Sequence, residues 1–389
     1  MKKLFTCLLV VLMTCTLVAC GGNNSEAAPE ASDTALKLGC SGPLTGSTSV
    51  YGIDVKNAVD LAIEEINAKE GKEFFAFNMQ DDVADPEKSP SAYGALKDWG
   101  MQISLLTVTS GAGAAVAPDY AQDHIFALTP SGSNTSLVYS DTTNYETNFQ
   151  MCFTDPNLGV GSADYIKTNN LGSKVGIIYK SDDNYSTGIY EKFVEQSKKV
   201  GLEVVEVQSF DEATSTDFSA QLQTLQTAGC DLVFLPIYYT PASIILTQAK
   251  AAGFAPKFFG VDGLDGILGL EGFDTTLAEG VYLLTPFAAD AQDDLTKSFV
   301  SAFNSKFNST PTQFAADAYD CVYAIYQACK NANITPDMET SAITDALIAQ
   351  FSSMQFKGLT GDCTWASNGE VSKSPKAVII NNGVYVSAE

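Results

Sequence analysis

The chain has 389 residues, with 46 aspartates and glutamates against 22 lysines, no arginine and one histidine, for a formal charge of −24. So acidic a chain offers no basic surface for phosphate contacts, which excludes nucleic-acid binding. Without arginine it also lacks the planar fork that grips phosphates or dicarboxylates at two points.

Taken in chain order, Lys2 and Lys3 open a basic start, and Leu4 to Val18 form an apolar run. That run falls short of the roughly 20 apolar residues needed to cross a bilayer and reads as the h-region of a signal peptide. It ends in Leu17-Val18-Ala19-Cys20-Gly21, small residues before a cysteine, the pattern of a lipobox. Cleavage after Ala19 would leave Cys20 lipidated at the new N-terminus, and acyl chains contribute about 0.8 kcal/mol per buried CH2. No later stretch reaches membrane-spanning length, so the expectation is a protein anchored to a membrane without crossing it. Gly21 to Thr34 is small, polar and acidic, and reads as a flexible tether over residues 20–35. Loss of the two leader lysines takes the formal charge from −24 to −26. The folded part begins near Leu36 and leaves about 350 residues, which predicts two domains.

From Leu36 to about Leu284, short apolar runs alternate with helical patterns. Phe74–Gln80, Ile103–Val108, Ile125–Leu128, Val175–Tyr179, Leu202–Val207, Leu232–Leu235 and Val281–Leu284 read as strands. Val55, Ala58, Val59, Ala62, Ile63 and Ile66 trace one helical face, and Ser89-Pro90 reads as an N-cap followed by Pro at N1. Further helices are predicted over Leu158–Lys167, Ala220–Ala228 and Pro241–Ala252. This alternation argues for parallel sheets covered by helices on both faces. After Asp290 the pattern turns to helices (Leu295–Phe307, Phe314–Lys330, Ile343–Phe351), and two strands close the chain (Lys376–Asn381, Val384–Ser387) around an Asn382-Gly383 hairpin turn.

His124 sits in the apolar context His124-Ile125-Phe126-Ala127-Leu128 and reads as structural. Six cysteines remain beyond Cys20: Cys40, Cys152, Cys230, Cys321, Cys329 and Cys363. None forms a C-x-x-C pair, so metal ribbons and thiol–disulfide chemistry lack support. Cys321 and Cys329 stand eight apart in a helical pattern, about 12 Å along the axis. That exceeds the roughly 7 Å reach of a disulfide. Buried free thiols are the expectation for most of the six.

In such sheets, ligands sit beyond the carboxyl ends of the strands. Ile103 to Val108 runs into Thr109-Ser110-Gly111-Ala112-Gly113, where a strand ends in small residues and a helix begins. Free N–H groups and the helix dipole make that an anion site. A dinucleotide-binding loop is disfavoured, because Val116 stands where the third glycine belongs; no cofactor is expected. With one histidine, no Gly-x-Ser-x-Gly and no metal cluster or nucleophile–base pair, an enzyme is not expected either.

Several landmarks then occur in order: Ser41-Gly42-Pro43-Leu44-Thr45-Gly46 with Tyr51-Gly52, Asp81-Asp82-Val83-Ala84-Asp85-Pro86, and Thr109-Ser110. Thr129-Pro130-Ser131-Gly132-Ser133, Gln248-Ala249-Lys250-Ala251-Ala252-Gly253 and Phe356-x-Gly358-x-Thr360-Gly361 follow. From Leu36 to the C-terminus the chain resembles the Leu/Ile/Val-binding protein family of type I periplasmic binding proteins, the solute receptors of ABC transporters. The resemblance implies an α/β fold of two doubly wound parallel-sheet lobes joined by three crossovers, near Thr154, Thr285 and Gly358. Lobe 1 would span 36–153 plus 286–357, and lobe 2 would span 154–285 plus 358–389. Ser110 matches the serine that holds the ligand carboxylate, and Ser131 a position whose backbone carbonyl meets the ammonium. Ser133 stands where the family has a threonine that bridges both ligand groups. Tyr185 and Tyr238 match tyrosines that close over the ligand, and Asp262 stands for a glutamate that pairs with the ammonium. Tyr51 and Phe314 match the side-chain pocket, and Thr109 adds a hydroxyl there. Some members carry a disulfide at the positions of Ala84 and Thr109, which this chain lacks.

On residue chemistry alone, the serines could equally cap helices, the aromatics could be core, and Asp262 could cap a turn beside Gly263. The resemblance implies a small amino acid, most of all Leu, Ile or Val, as ligand, and a permease with its ATPases as partners. It also implies a monomer that closes by hinge motion. A sensor of the same fold that binds an amide or another small molecule is the alternative.

Overall fold

The structure, a computed structural model, describes residues 34–139, 142–373 and 376–388. The leader and Cys20 lie outside the described residues. In the first part of the chain β1 (Leu36–Gly42), α1 (Ser49–Glu70), β2 (Phe75–Asp81), α2 (Ser89–Asp98), β3 (Ile103–Thr107), α3 (Ser110–Gln122), β4 (Ala127–Thr129) and β5 (Asn148–Gln150) follow one another. Their strands make a five-stranded sheet in the order β2-β1-β3-β4-β5, every pairing parallel. The predicted face of α1 is buried at all six positions, and all five residues of β3 are buried. Such near-continuous burial is what a parallel strand covered on both faces requires.

The chain then passes into α4 (Asp155–Thr168), β6 (Val175–Lys180), α5 (Asn184–Val200), β7 (Val204–Phe210), α6 (Ser219–Ala228), β8 (Leu232–Leu235), α7 (Tyr239–Ala252), β9 (Lys257–Gly260) and β10 (Tyr282–Thr285). It returns through α8 (Asp294–Phe307), α9 (Gln313–Ala332) and α10 (Thr340–Phe351). A short ribbon of β11 (Phe356–Gly358) and β12 (Gly361–Cys363) follows, and β13 (Lys376–Asn381) and β14 (Val384–Ser387) end it. The second sheet runs β14-β13-β10-β9-β8-β6-β7, parallel from β7 to β10 and antiparallel at β13 and β14. Asn382 and Gly383 take φ of 52° and 73°, the left-handed pair that a two-residue hairpin turn needs.

The returning helices belong with the first sheet. Tyr326 of α9 packs edge-on against Phe74, ring centres 5.2 Å apart, and the Thr344 hydroxyl of α10 accepts from Phe126 N at 3.0 Å. The chain stays there beyond Gly358. Trp365 Nε1 donates to the Gln150 carbonyl at 2.8 Å, Gln150 N donates to Gly369 O at 2.9 Å, and Lys373 pairs with Asp317 of α9 at 2.7 Å. The passage into the second sheet therefore falls after Lys373, later than the crossing expected near Gly358, because the 364–373 segment hydrogen-bonds to β5.

Two local readings change. Ser89 lies inside α2, with Lys88 as N-cap, and its hydroxyl donates to the Ala112 carbonyl at 2.9 Å. The Asp85 carbonyl already accepts from Lys88 N and Ser89 N, so the turn starts earlier than the Ser-Pro signature suggests. Missing from the predicted strands are the seven-residue β1 and the short β5, β9 and β11–β12 ribbon. The last four are three or four residues long, too short to carry a period. His124 takes a left-handed φ of 52° after α3 and pairs with Asp345 at 2.7 Å. All six cysteines are free and buried. Among the described residues no helix is long and apolar enough to cross a membrane, and no cluster of side chains is arranged to hold a metal.

Candidate functional site

The carboxyl ends of the strands in both sheets face one cleft. On the first sheet, the β1–β3 register shifts between Gly39 and Ser41, and Leu106 takes a φ of 52° in the strand that follows. Thr107 Oγ1 donates to Thr109 O at 3.0 Å, and Thr129 Oγ1 donates to Thr107 O at 2.7 Å, which fixes the turn into α3. Thr109 is the N-cap, yet its side chain caps nothing. Its Oγ1 is buried without a partner at the cleft. Ser110 begins the helix, and its Oγ accepts from Ser133 N at 3.2 Å and Asn134 N at 3.1 Å. It also lies 3.5 Å from Ser133 Oγ, where either hydroxyl can be the donor. The first-turn N–H groups of α3 have no partner within the helix, so this end is built to meet negative charge.

Opposite it stands Asp262, two residues beyond the end of β9 and buried, in a 3-10 turn over Asp262–Leu264. Asp262 Oδ1 accepts from the Tyr185 hydroxyl at 2.6 Å and from Gly263 N at 2.9 Å. Burial pushes its carboxyl up to about 7; these two donors pull back, and Asp317 adds repulsion. A carboxylate so desolvated is poised for a cation. Gly263 cannot be larger: a Cβ there would stand 2.5 Å from the Tyr185 oxygen.

The walls are aromatic. Tyr185, in the first turn of α5, stacks on Tyr238, the N-cap of α7, with centres 4.8 Å apart. Tyr51, near the start of α1, meets Tyr238 edge-on at 5.6 Å and leans on Phe314 of α9 at 4.4 Å. Together these side chains leave only a small cavity, about 10 Å3, lined by Tyr51, Val108, Thr109, Ser110, Ser131, Tyr185, Tyr238, Asp262, Gly263 and Phe314.

Of the residues singled out from sequence, all but Ser133 line this cavity. Ser133 lies a layer behind, its N–H on Ser110 Oγ and its carbonyl accepting from Asp155 N at 2.9 Å. Val108 and Gly263 were not singled out, although each adjoins a residue that was. The Ser131 hydroxyl is engaged, donating to Val108 O at 2.7 Å.

The cleft is closed. The Tyr51 hydroxyl donates to Gly263 O, Tyr239 Oη accepts from Val50 N at 3.3 Å, and Thr240 Oγ1 donates to Ser47 O at 2.6 Å. Asn134 Nδ2 donates to Asn184 O at 3.0 Å, and Gln313 N to Asp265 Oδ2 at 2.7 Å. Each bond joins an element of the first sheet's unit to one of the second's.

The sequence profile of the periplasmic binding protein family matches residues 35–379. The chain belongs to that family. The Leu/Ile/Val-binding protein homolog 2 of Brucella abortus is 25% identical over 384 residues, covering 96% of this chain and 95% of the relative. The branched-chain amino acid transporter substrate-binding protein LivJ of Streptococcus pneumoniae, solved with isoleucine, superposes with a TM-score of 0.81 at 25% identity. It covers 91% of this chain and 99% of that one. An ABC transporter solute-binding protein of R. palustris, solved with benzoate, shares the fold with a TM-score of 0.80 at 18% identity over 91% and 95% of the two chains. The fold is that of type I periplasmic binding proteins. As a member of this family the chain is an extracytoplasmic substrate-binding protein of ABC transport and not an enzyme. A permease is implied as its partner.

Proposed function

We propose that this periplasmic binding protein captures a small aliphatic amino acid of the Leu, Ile, Val class between its lobes and delivers it to a permease. The observation that carries the reading is a two-ended cavity. The N-terminus of α3, with the Ser110 hydroxyl and the unpartnered Thr109 hydroxyl, faces buried Asp262 across aromatic walls. An enclosed zwitterion loses its hydration at both ends, so its carboxylate needs donors and its ammonium an acid. In this reading Ser110 and the first turn of α3 hold the carboxylate, and Asp262 holds the ammonium with help from the Ser131 carbonyl. Tyr185 and Tyr238 close over the ligand, while Tyr51, Phe314 and Val108 surround its side chain. Ser133 acts through Ser110, by placing its hydroxyl.

The lobes divide in this proposal as 36–153 with 286–373, and 154–285 with 376–388. The protein acts as a monomer tethered to the outer face of the membrane through lipidated Cys20, and hinge motion at the three passages opens the cleft. An aromatic carboxylate, of the kind bound by the R. palustris protein, would satisfy α3 but leave Asp262 buried without a cation, which counts against it.

Thermal unfolding against the twenty amino acids, benzoate and a few small amides tests the reading. Ligand at 100 times its dissociation constant stabilises by about 2.7 kcal/mol, a shift of several degrees. Shifts confined to Leu, Ile, Val and their small neighbours are expected. Silence from every amino acid with a response to benzoate or an amide would overturn the assignment and leave the fold intact.

A further inference from the structure

We propose that Asp265 is a positioning residue that latches the closed cleft, capping helix α9 of one lobe from a loop of the other. Asp265 lies in the loop after β9, three residues beyond Asp262, and its Oδ2 accepts from Gln313 N at 2.7 Å. Gln313 is the first residue of α9, so its N–H has no partner within the helix. The neighbouring donor is met from within the first lobe. Asp54 of α1 accepts from Thr312 N at 3.2 Å and from the Thr312 hydroxyl at 2.7 Å. Two acids thus cap one helix start, one from each side of the cleft.

The contact touches both walls of the cavity. Phe314, next after Gln313, lines it, and the Gln313 side chain donates to the Asp262 carbonyl at 3.3 Å. Closure that seats Asp265 on Gln313 therefore also sets Phe314 and Asp262 at their mutual distance. Asp265 and Gln313 are both buried in the closed cleft. Opening would return both groups to water, so the bond favours the closed form alone. The loop is held for this by its own lobe: Gly266 N donates to the Tyr385 hydroxyl at 3.1 Å, and Gly266 takes a φ of 106° that favours glycine.

The inference rests on the reading that the two lobes open and close around a ligand. Hydrogen exchange of the purified protein, read at the Gln313 amide, tests it in wild type, Asp265→Ala and Asp265→Asn. Each is measured with and without a mixture of L-leucine, L-isoleucine and L-valine. Asp265→Ala is expected to speed exchange at Gln313 about tenfold or more, the change that follows loss of one hydrogen bond to a charged acceptor. Asp265→Asn keeps an acceptor oxygen and is expected to restore most of the protection, while amides of Val55–Ile66 in α1 stay unchanged in all three. Equal exchange in wild type and Asp265→Ala would overturn the proposal. So would a uniform acceleration that includes α1, since the contact would then belong to the fold and not to closure. If the amino acids slow nothing in wild type yet Asp265→Ala still exchanges faster, the latch stands and the amino-acid assignment fails.

Discussion

Replacing Asp262 by Asn separates ligand binding from fold stability in a way that few other changes can. Asn keeps the size and an oxygen for the Tyr185 hydroxyl and Gly263 N, which meet Asp262 at 2.6 and 2.9 Å; it removes only the charge. If the ligand ammonium sits on this group, the variant loses a buried charged partner, a change of about 2–5 kcal/mol. At 1.4 kcal/mol per tenfold, the dissociation constant for the amino acid rises roughly thirtyfold to several-thousandfold. The ligand-free protein moves the other way. Asp262 has its carboxyl pushed up to about 7 by burial, from 3.8, so its native state takes up a proton that the unfolded chain does not. At pH 8 the buried carboxylate is therefore a cost of a few kcal/mol to the closed form. Asn lifts that cost, and the ligand-free melting temperature at pH 8 should rise. The gain should fade towards pH 5, where Asp262 is itself protonated. Calorimetric titration with the amino acid found by screening, and with its deaminated carboxylic acid, gives the binding side. Thermal unfolding at pH 5 and 8 gives the other. The deaminated acid should bind the variant no worse than wild type. Undiminished amino-acid affinity in Asp262→Asn would refute the reasoning.

Three further outcomes follow from buried polar groups. Lys373 and Asp317 form an ion pair with side chains 1% and 2% exposed, and Lys373 Nζ also donates to Met151 O at 2.5 Å; Lys373→Met leaves Asp317 unpaired and should cost about 3–5 kcal/mol in urea unfolding. Adding Asp317→Leu to that variant should recover most of the loss, and a single variant as stable as wild type would contradict the pairing. Thr109→Val removes a buried hydroxyl that has no partner, so ligand-free stability should rise by about 1–3 kcal/mol in denaturant titration; a fall would mean that the hydroxyl is satisfied within the protein. Burial pushes Asp54 and Asp82 up to about 6 and Asp262 up to about 7. With folded values above unfolded ones, the native state binds more protons, so ligand-free stability should rise as pH falls from 8 to about 5 by roughly 1 kcal/mol or more per group. A melting temperature that falls over that window would contradict the burial of these acids.

What could be read from the sequence was what repeats locally. The α1 face from Val55 to Ile66 carries a helical period, and Asn382-Gly383 carries the backbone freedom of a hairpin turn; both appear in the structure. The residues gathered at the cavity were legible because they stand at strand and helix ends in ordered motifs. Ser110 follows β3, Tyr185 opens α5 and Asp262 follows β9. Ser133 was placed in direct contact because its hydroxyl sits in such a motif, whereas its backbone is engaged with Ser110 and Asp155. Asp265 gave no sign. Its partner Gln313 lies 48 positions away, and an Asp beside a Gly reads first as a turn residue. Lys373 with Asp317, 56 positions apart, is hidden for the same reason, since a lysine in a polar run looks like surface. The late passage after Lys373 depends on backbone bonds from Gly369 to Gln150, for which no side-chain pattern exists.

The central claim is that one cavity holds a zwitterion with its carboxylate on α3 and its ammonium on Asp262. A crystal structure of the protein with the amino acid that stabilises it in the thermal screen tests this most directly. The account predicts carboxylate oxygens within hydrogen-bond reach of Ser110 and the first turn of α3, the ammonium on Asp262, and the Asp265–Gln313 bond in place. A ligand bound in the reverse sense, or bound outside the cavity walled by Tyr51, Tyr185, Tyr238 and Phe314, would contradict it.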